Sequence, residues 1–117
     1  MIDKKRILQF IGLATRAGKI VSGFEATVDA INKGEVEVLV ISEDISRNTL
    51  SKLLDCVEAS DSEPEAYRFG TAEELGNCIG KRPRAIVAVT DIGFADKLKG
   101  MFEEYNDNSN CETEDNN

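Results

Sequence analysis

Apolar residues follow two alternating rhythms along this chain. Ile7, Phe10, Ile11 and Ala14 fall at helical spacing over residues 3–16, with Leu8 and Leu13 widening the stripe and Gly18 closing it. Ile20-Val21 leaves room only for a short strand. Ser22 with Glu25 three residues on has the spacing of a capping box, which predicts a helix with Ala26, Ala30 and Ile31 on one side and its end at Gly34. Val36–Ile41 is almost wholly apolar, as expected of a strand buried on both faces. Ser46 to Glu58 returns to helical spacing through Leu50, Leu53, Leu54 and Val57.

Beyond the polar loop Ala59–Pro64, Ala66-Tyr67-Arg68-Phe69 reads as a short strand. Thr71 and Glu74 repeat the capping-box spacing, opening a helix over Leu75, Cys78 and Ile79 that stops at Gly80. Arg84–Thr90 is a third β-branched run with Ile86-Val87-Ala88-Val89 at its centre. Ile92 to Tyr105 is the last helix, with Phe94, Leu98, Met101 and Phe102 inward. Helices and strands therefore alternate without an internal repeat. This order predicts an α/β domain of three layers, with helices on both faces of a small parallel or mixed sheet.

The domain is expected to occupy residues 1–105. From Asn106 the composition collapses to Asn, Asp, Ser, Glu and Thr around one cysteine, so 106–117 is expected to be a disordered acidic tail. Charge follows the same division. The chain carries 14 Lys and Arg against 22 Asp and Glu, a net −8. Six of those acids, and no basic residue, lie in 101–117, so residues 1–100 carry only −2. The body is near neutral, which reopens the nucleic-acid class that the bulk charge disfavours.

Other classes close. No apolar run is long enough to span a membrane, and the charged N-terminus lacks the features of a signal peptide, so a cytoplasmic location is expected. Cys56, Cys78 and Cys111 are too widely spaced for a metal site, and the chain contains no histidine. Cys56 and Cys78 read as small buried hydrophobes. Without a histidine or a carboxylate dyad there is little for catalysis to use, so an enzyme is not expected. Neither a cofactor nor a small-molecule substrate is expected.

Three local features carry candidate chemistry. The helix start at Gly23 exposes unpaired N–H groups, and a glycine there lets another backbone come close, although many ordinary helices begin the same way. Gly80-Lys81-Arg82-Pro83-Arg84 is the one dense basic cluster outside the N-terminus, readable as a phosphate-holding edge or as a solvated turn. Glu43-Asp44 could hold a cation, but capping of the helix from Ser46 accounts for it more simply. Lys4-Lys5-Arg6 reads as a solvated helix face.

Gly23 to Ala30, Lys33-Gly34, the strand ending in Glu43-Asp44 and Leu75-Gly76-x-x-Ile79-Gly80 together resemble the kink-turn RNA-binding superfamily of ribosomal proteins, of the L-seven-Ae type. Within it, Gly18-Lys19-Ile20-Val21-Ser22-Gly23 and the segment Glu73 to Lys81 are similar to the bacterial YlxQ-like branch. The resemblance covers about residues 3–105. It implies an α-β-α sandwich around a four-stranded mixed sheet, and a helix whose glycine end enters the groove of a kinked RNA. Position by position, Gly23 is the family's glycine, Glu25 stands in its Asn place and Ala26 in its Glu/Gln place. Asp29 stands in its Lys place and Lys33 in the later basic place, while Lys81–Arg84 corresponds to an apolar loop that meets a flipped nucleotide.

Ala26 and Asp29 depart from that pattern. Aspartate offers only acceptors where lysine would donate to guanine, and alanine offers neither donor nor acceptor. The resemblance thus implies a retained scaffold with kink-turn reading weakened or lost. The expected RNA-facing residues are Lys19, Gly23, Phe24, Glu25, Ala26, Lys33, Lys81, Arg82 and Arg84. The expected partner is structured RNA, ribosomal or otherwise kink-turn-like, with a ribosomal or translation-factor protein as a further partner. The alternative is a protein-interaction or regulatory module on the same scaffold.

Overall fold

The computed structural model describes the backbone of residues 2–115 and the side chains of residues 2–106. Helix α1 (Lys4–Arg16) leads through β1 (Ile20–Ser22) into α2 (Phe24–Asn32), β2 (Val38–Ile41) and α3 (Arg47–Ala59). There follow β3 (Glu65–Arg68), α4 (Ala72–Cys78), β4 (Ile86–Val89) and α5 (Ile92–Asp115). The strands form one sheet in the order β1-β4-β2-β3, with β2 and β3 parallel and the other pairs antiparallel.

All four residues of β2 and all four of β4 are buried. Because side chains alternate across a strand, Val38, Val40, Val87 and Val89 point to one face and Leu39, Ile41, Ile86 and Ala88 to the other. The first set packs with Ile7 and Ile11 of α1, Leu75 of α4, and Ala95, Leu98 and Phe102 of α5. The second packs with Ala30 and Ile31 of α2 and Leu53 of α3. The result is a three-layer α-β-α sandwich with a small four-stranded mixed sheet. Each fully buried Ile or Leu contributes on the order of 1.5–3 kcal/mol to holding it.

Several local readings change in the folded chain. Ser22 does not cap α2: it is the last residue of β1, opposite Val87, and Gly23 takes the cap position without a side-chain bond. Ala26 is exposed, and the inward face of α2 is Thr27, Ala30 and Ile31. Leu54 is likewise exposed, because Leu53 alone is fully buried on α3. Cys56 and Cys78 are half-buried rather than fully covered. Burial still pushes the Cys78 thiol up to about 11, so it stays neutral. The last helix runs past Tyr105 to Asp115, into the segment expected to be disordered. Asn116 and Asn117, and the side chain of Cys111, lie outside the described residues.

Candidate nucleic-acid interface

The end of the sheet where β1 finishes and β4 begins gathers the candidate site. Gly23 donates its N–H to the Ile86 carbonyl at 3.0 Å, which places the start of α2 beside the loop entering β4. Its backbone has φ of 90° and ψ of 161°, a region open essentially to glycine alone. A Cβ built there would meet nothing within 4 Å, so what selects glycine is backbone conformation, not crowding within the chain. Thr27 N–H closes the first turn on the Gly23 carbonyl, and among the described residues the N–H groups of Phe24, Glu25 and Ala26 have no acceptor.

That bareness is peculiar to α2. Asp3 caps α1, Ser46 caps α3 and Thr71 caps α4, while Asp91 accepts from Phe94 N–H at the start of α5. Phe24 turns its ring toward the α2–α3 core, and Glu25 and Ala26 face solvent. The arrangement presents three unpaired donors and the positive end of a helix dipole on an open surface.

The basic loop is fixed alongside. Lys81 N–H donates to the Gly76 carbonyl at 2.8 Å, Arg84 N–H to Ala72 at 3.0 Å, and Ser42 N–H to Ala85 at 2.8 Å. Gly76 makes this docking possible, since a Cβ there would come within 2.3 Å of the Arg82 carbonyl oxygen. Lys81 and Arg82 are exposed, and among the described residues neither has a carboxylate partner. Arg84 is half-buried and donates to the carbonyls of Arg82 and Pro83 at 3.3 and 3.2 Å, bracing the loop.

Lys19 and Lys33 stand elsewhere. The Lys19 carbonyl accepts from Thr90 N–H at the opposite end of β1, and Lys33 lies a full helix from Gly23. At 1.5 Å per residue that is roughly 13–15 Å. Lys33 Nζ meets Asp29 Oδ2 at 3.0 Å, and that hydrogen bond holds the ammonium above its ordinary pKa. The structure thus sets Gly23, Phe24, Glu25 and Ala26 beside the entry to β4, with Lys81, Arg82 and Arg84 on the loop that leads into that strand, and leaves Lys19 and Lys33 at the other end.

Comparison with known proteins decides the family. The model of the ribosomal protein L7Ae/L30e/S12e/Gadd45 family matches residues 5–99. The chain belongs to that family. It is 36% identical over 93 residues to the RNA-binding protein YlxQ of Bacillus subtilis, covering 80% of this chain and 91% of that one. The Enterococcus faecium RNA-binding protein YlxQ is 33% identical over 101 residues, covering 86% and 95%. A solved structure of a protein with unknown function from Bacillus halodurans C superposes with a TM-score of 0.77 at 33% identity, over 86% of this chain and 99% of that one.

In this member of the family, the loop after β2 joins the same end of the sheet, which spacing in the sequence did not reveal. Arg68 donates to the carbonyls of Ser42 at 3.3 Å and Glu43 at 3.0 Å, tying that loop to β3. Asp44 does not cap α3. Its Oδ1 accepts from Ala72 N–H at 2.9 Å, a bond that holds its carboxyl below the usual range. Asp44 is therefore a brace from the loop after β2 to the start of α4, with Glu43 taking part through its backbone. Among the described residues no His, Cys, Asp or Glu cluster could hold a metal ion. The described helices also include none long and apolar enough to cross a membrane.

Proposed function

We propose that this chain is a non-enzymatic RNA-binding protein of the cytoplasmic translation apparatus, and that it meets structured RNA with the uncapped start of α2. The observation that carries this reading is the contrast in capping. Four helices close their first turn with a side chain, whereas α2 leaves Phe24, Glu25 and Ala26 N–H groups free behind a glycine. Phosphate oxygens satisfy such donors, and the braced cations Lys81 and Arg82 lie on the loop next to them. The ribosomal character of the family and the RNA-binding names of the two YlxQ relatives point the same way. The proposed partner is ribosomal RNA or another kink-turn-like RNA, together with a ribosomal or translation-factor protein.

Base reading is proposed to be altered. Ala26 and Asp29 lack the groups the family resemblance implies at their places, and Asp29 binds Lys33 on its own helix. The exposed carboxylates of Glu25 and Asp29 favour a second reading, in which this face has become a protein-binding surface. Titration of a kink-turn RNA at several salt concentrations separates the two. Under the RNA reading, replacing Lys81, Arg82 and Arg84 by alanine weakens binding and flattens the dependence of affinity on salt. Unchanged affinity and slope would leave the protein-binding reading in front.

A further inference from the structure

The layer of α1, α4 and α5 carries a second surface that RNA binding at Gly23 does not use. Along the outside of α1 run two adjoining hollows. One, of about 540 Å³, is lined by Lys5, Leu8, Gln9, Gly12, Leu13, Arg16 and Cys78. The other, of about 400 Å³, lies toward α5 and includes Arg6, Phe10, Leu13, Lys97 and Met101. Gln9 and Leu13 belong to both, so Leu13 stands as a ridge between them, half of its surface open to water at 51%.

The charge of this surface opposes that of the whole. In a chain of net −8, neither hollow is lined by an acid, while Lys5, Arg6, Arg16 and Lys97 rim them. Among the described residues none of these four forms an ion pair. Asp3 and Asp91 at the margins are engaged in capping, with Arg6 N–H and Phe94 N–H respectively. Lys97 Nζ lies 5.8 Å from the centroid of the Phe10 ring, so it covers that ring as well as charging the rim.

We infer that this face docks an acidic segment of a partner protein, which places apolar side chains in the two hollows on either side of Leu13 and carboxylates against Lys5, Arg6, Arg16 and Lys97. Charge complementarity selects the sign of the partner. The lining selects its class. Leucine, methionine and methylene stems fit aliphatic or aromatic anchors of a peptide, whereas a nucleic acid strand would be served by open aromatic platforms, and the Phe10 ring is covered. Such a segment is read as an amphipathic helix laid along a groove. The inference is independent of the RNA reading, because it uses other residues on the other layer.

The test uses the full chain and backbone-amide NMR. The probe is a short helical peptide with leucines at helical spacing and glutamates elsewhere, compared with the same peptide bearing lysines and with a single-stranded RNA oligonucleotide. The acidic peptide is expected to shift the amides of Leu8, Gln9, Leu13, Arg16 and Met101 while leaving those around Gly23 in place. Leu13→Glu and, separately, Arg16→Glu alter exposed side chains and are expected to lower the peptide's affinity by about tenfold or more, the loss typical of an interface anchor. Shifts absent from α1, shifts produced equally by the lysine peptide or the RNA, or an unchanged affinity in both variants would overturn the proposal. So would self-association of the chain through this face, detected by sedimentation and abolished by Leu13→Glu.

Discussion

Helices α2 and α4 both start at the same end of the sheet, and their first turns are completed in opposite ways. At α4, Thr71 accepts from Glu74 N–H at 3.1 Å, Glu74 returns to Thr71 N–H at 2.9 Å, and Asp44 reaches over to Ala72 N–H. The N–H groups of Thr71, Ala72 and Glu74 there all have acceptors inside the chain. At α2 a glycine in a glycine-only conformation replaces the cap, and three donors face water. Helix stability alone would favour a Ser, Thr, Asp or Asn at that position. On the proposed function, the start that gives up the cap while its four counterparts keep theirs is the one that meets RNA.

The largest expected effect comes from restoring what α2 lacks. In the triple variant Glu25→Asn, Ala26→Glu and Asp29→Lys all three side chains lie on the solvent side, so the core is untouched. Glu25 has no capping role to lose, since Ser22 is held in the sheet. Asp29→Lys also frees Lys33 from its intrahelical pair. At about 1–3 kcal/mol for each good base contact, affinity for a kink-turn RNA is expected to rise by about 2–4 kcal/mol. The gain should vanish on an RNA whose tandem G·A pairs are replaced by Watson–Crick pairs. A folded variant that gains on neither RNA shows that this helix start does not face RNA.

Next in size is Gly23→Ala. The added Cβ meets no atom of the chain, so its cost to stability is backbone strain of about 1–3 kcal/mol, read from chemical denaturation. RNA affinity should fall too, because the methyl group projects into the space an approaching backbone needs. Retained affinity in a variant that loses stability would uncouple the bare start from binding. The matching change at the sealed start, Thr71→Ala, removes a cap and should cost about 0.5–2 kcal/mol. Its expected effect on RNA affinity is less than about threefold, below about 0.7 kcal/mol. Equal losses of RNA affinity in both variants would erase the distinction between the two starts.

The same two starts show what was legible in the sequence. Thr71-x-x-Glu74 and Ser22-x-x-Glu25 carry the same local signature, yet only the first is a capping box. Local spacing cannot see that Ser22 is the third rung of β1 against Val87, which is a matter of long-range pairing. Val38–Ile41 and Ile86–Val89 were readable because a strand buried on both faces must be continuously apolar. Lys19, Lys33 and Arg82 could not be sorted in the same way. Their separation follows from the antiparallel β1–β4 pairing and the length of α2, neither visible in a charge count. Asp44 capping α4, and Arg68 bracing the loop after β2, depend on the parallel register of β2 and β3. The outward Leu13 and Leu54 belong to helical stripes wider than the sheet they pack against, so the pattern overestimates the core.

The smallest effect is a pH dependence confined to the sealed start. Glu74 lies 2.8 Å from Lys4 Nζ, and that hydrogen bond, with the one from Thr71 N–H, holds its carboxyl below the ordinary 4.5. The same contact, opposed by slight burial, raises the Lys4 ammonium above 10.5. A carboxyl with a depressed folded pKa takes up its proton more readily in the unfolded chain. Its contribution is therefore fully present above pH 4.5 and is lost as pH falls through the folded value. The Lys4 contribution has the opposite sign, present below 10.5 and lost as pH rises through its folded value, so neutral pH holds both. More than a third of each side chain is open to water, which limits the pair to about 0.2–1 kcal/mol. Glu74→Gln keeps an acceptor for Thr71 N–H but removes the charge. Its deficit in thermal stability should be visible at neutral pH and shrink as acid protonates the wild-type carboxyl. Because α2 has no charged cap, RNA affinity of the two proteins should stay equal at neutral pH. A deficit that persists undiminished in acid would mean that Glu74 acts through packing, and that the seal on α4 is not electrostatic.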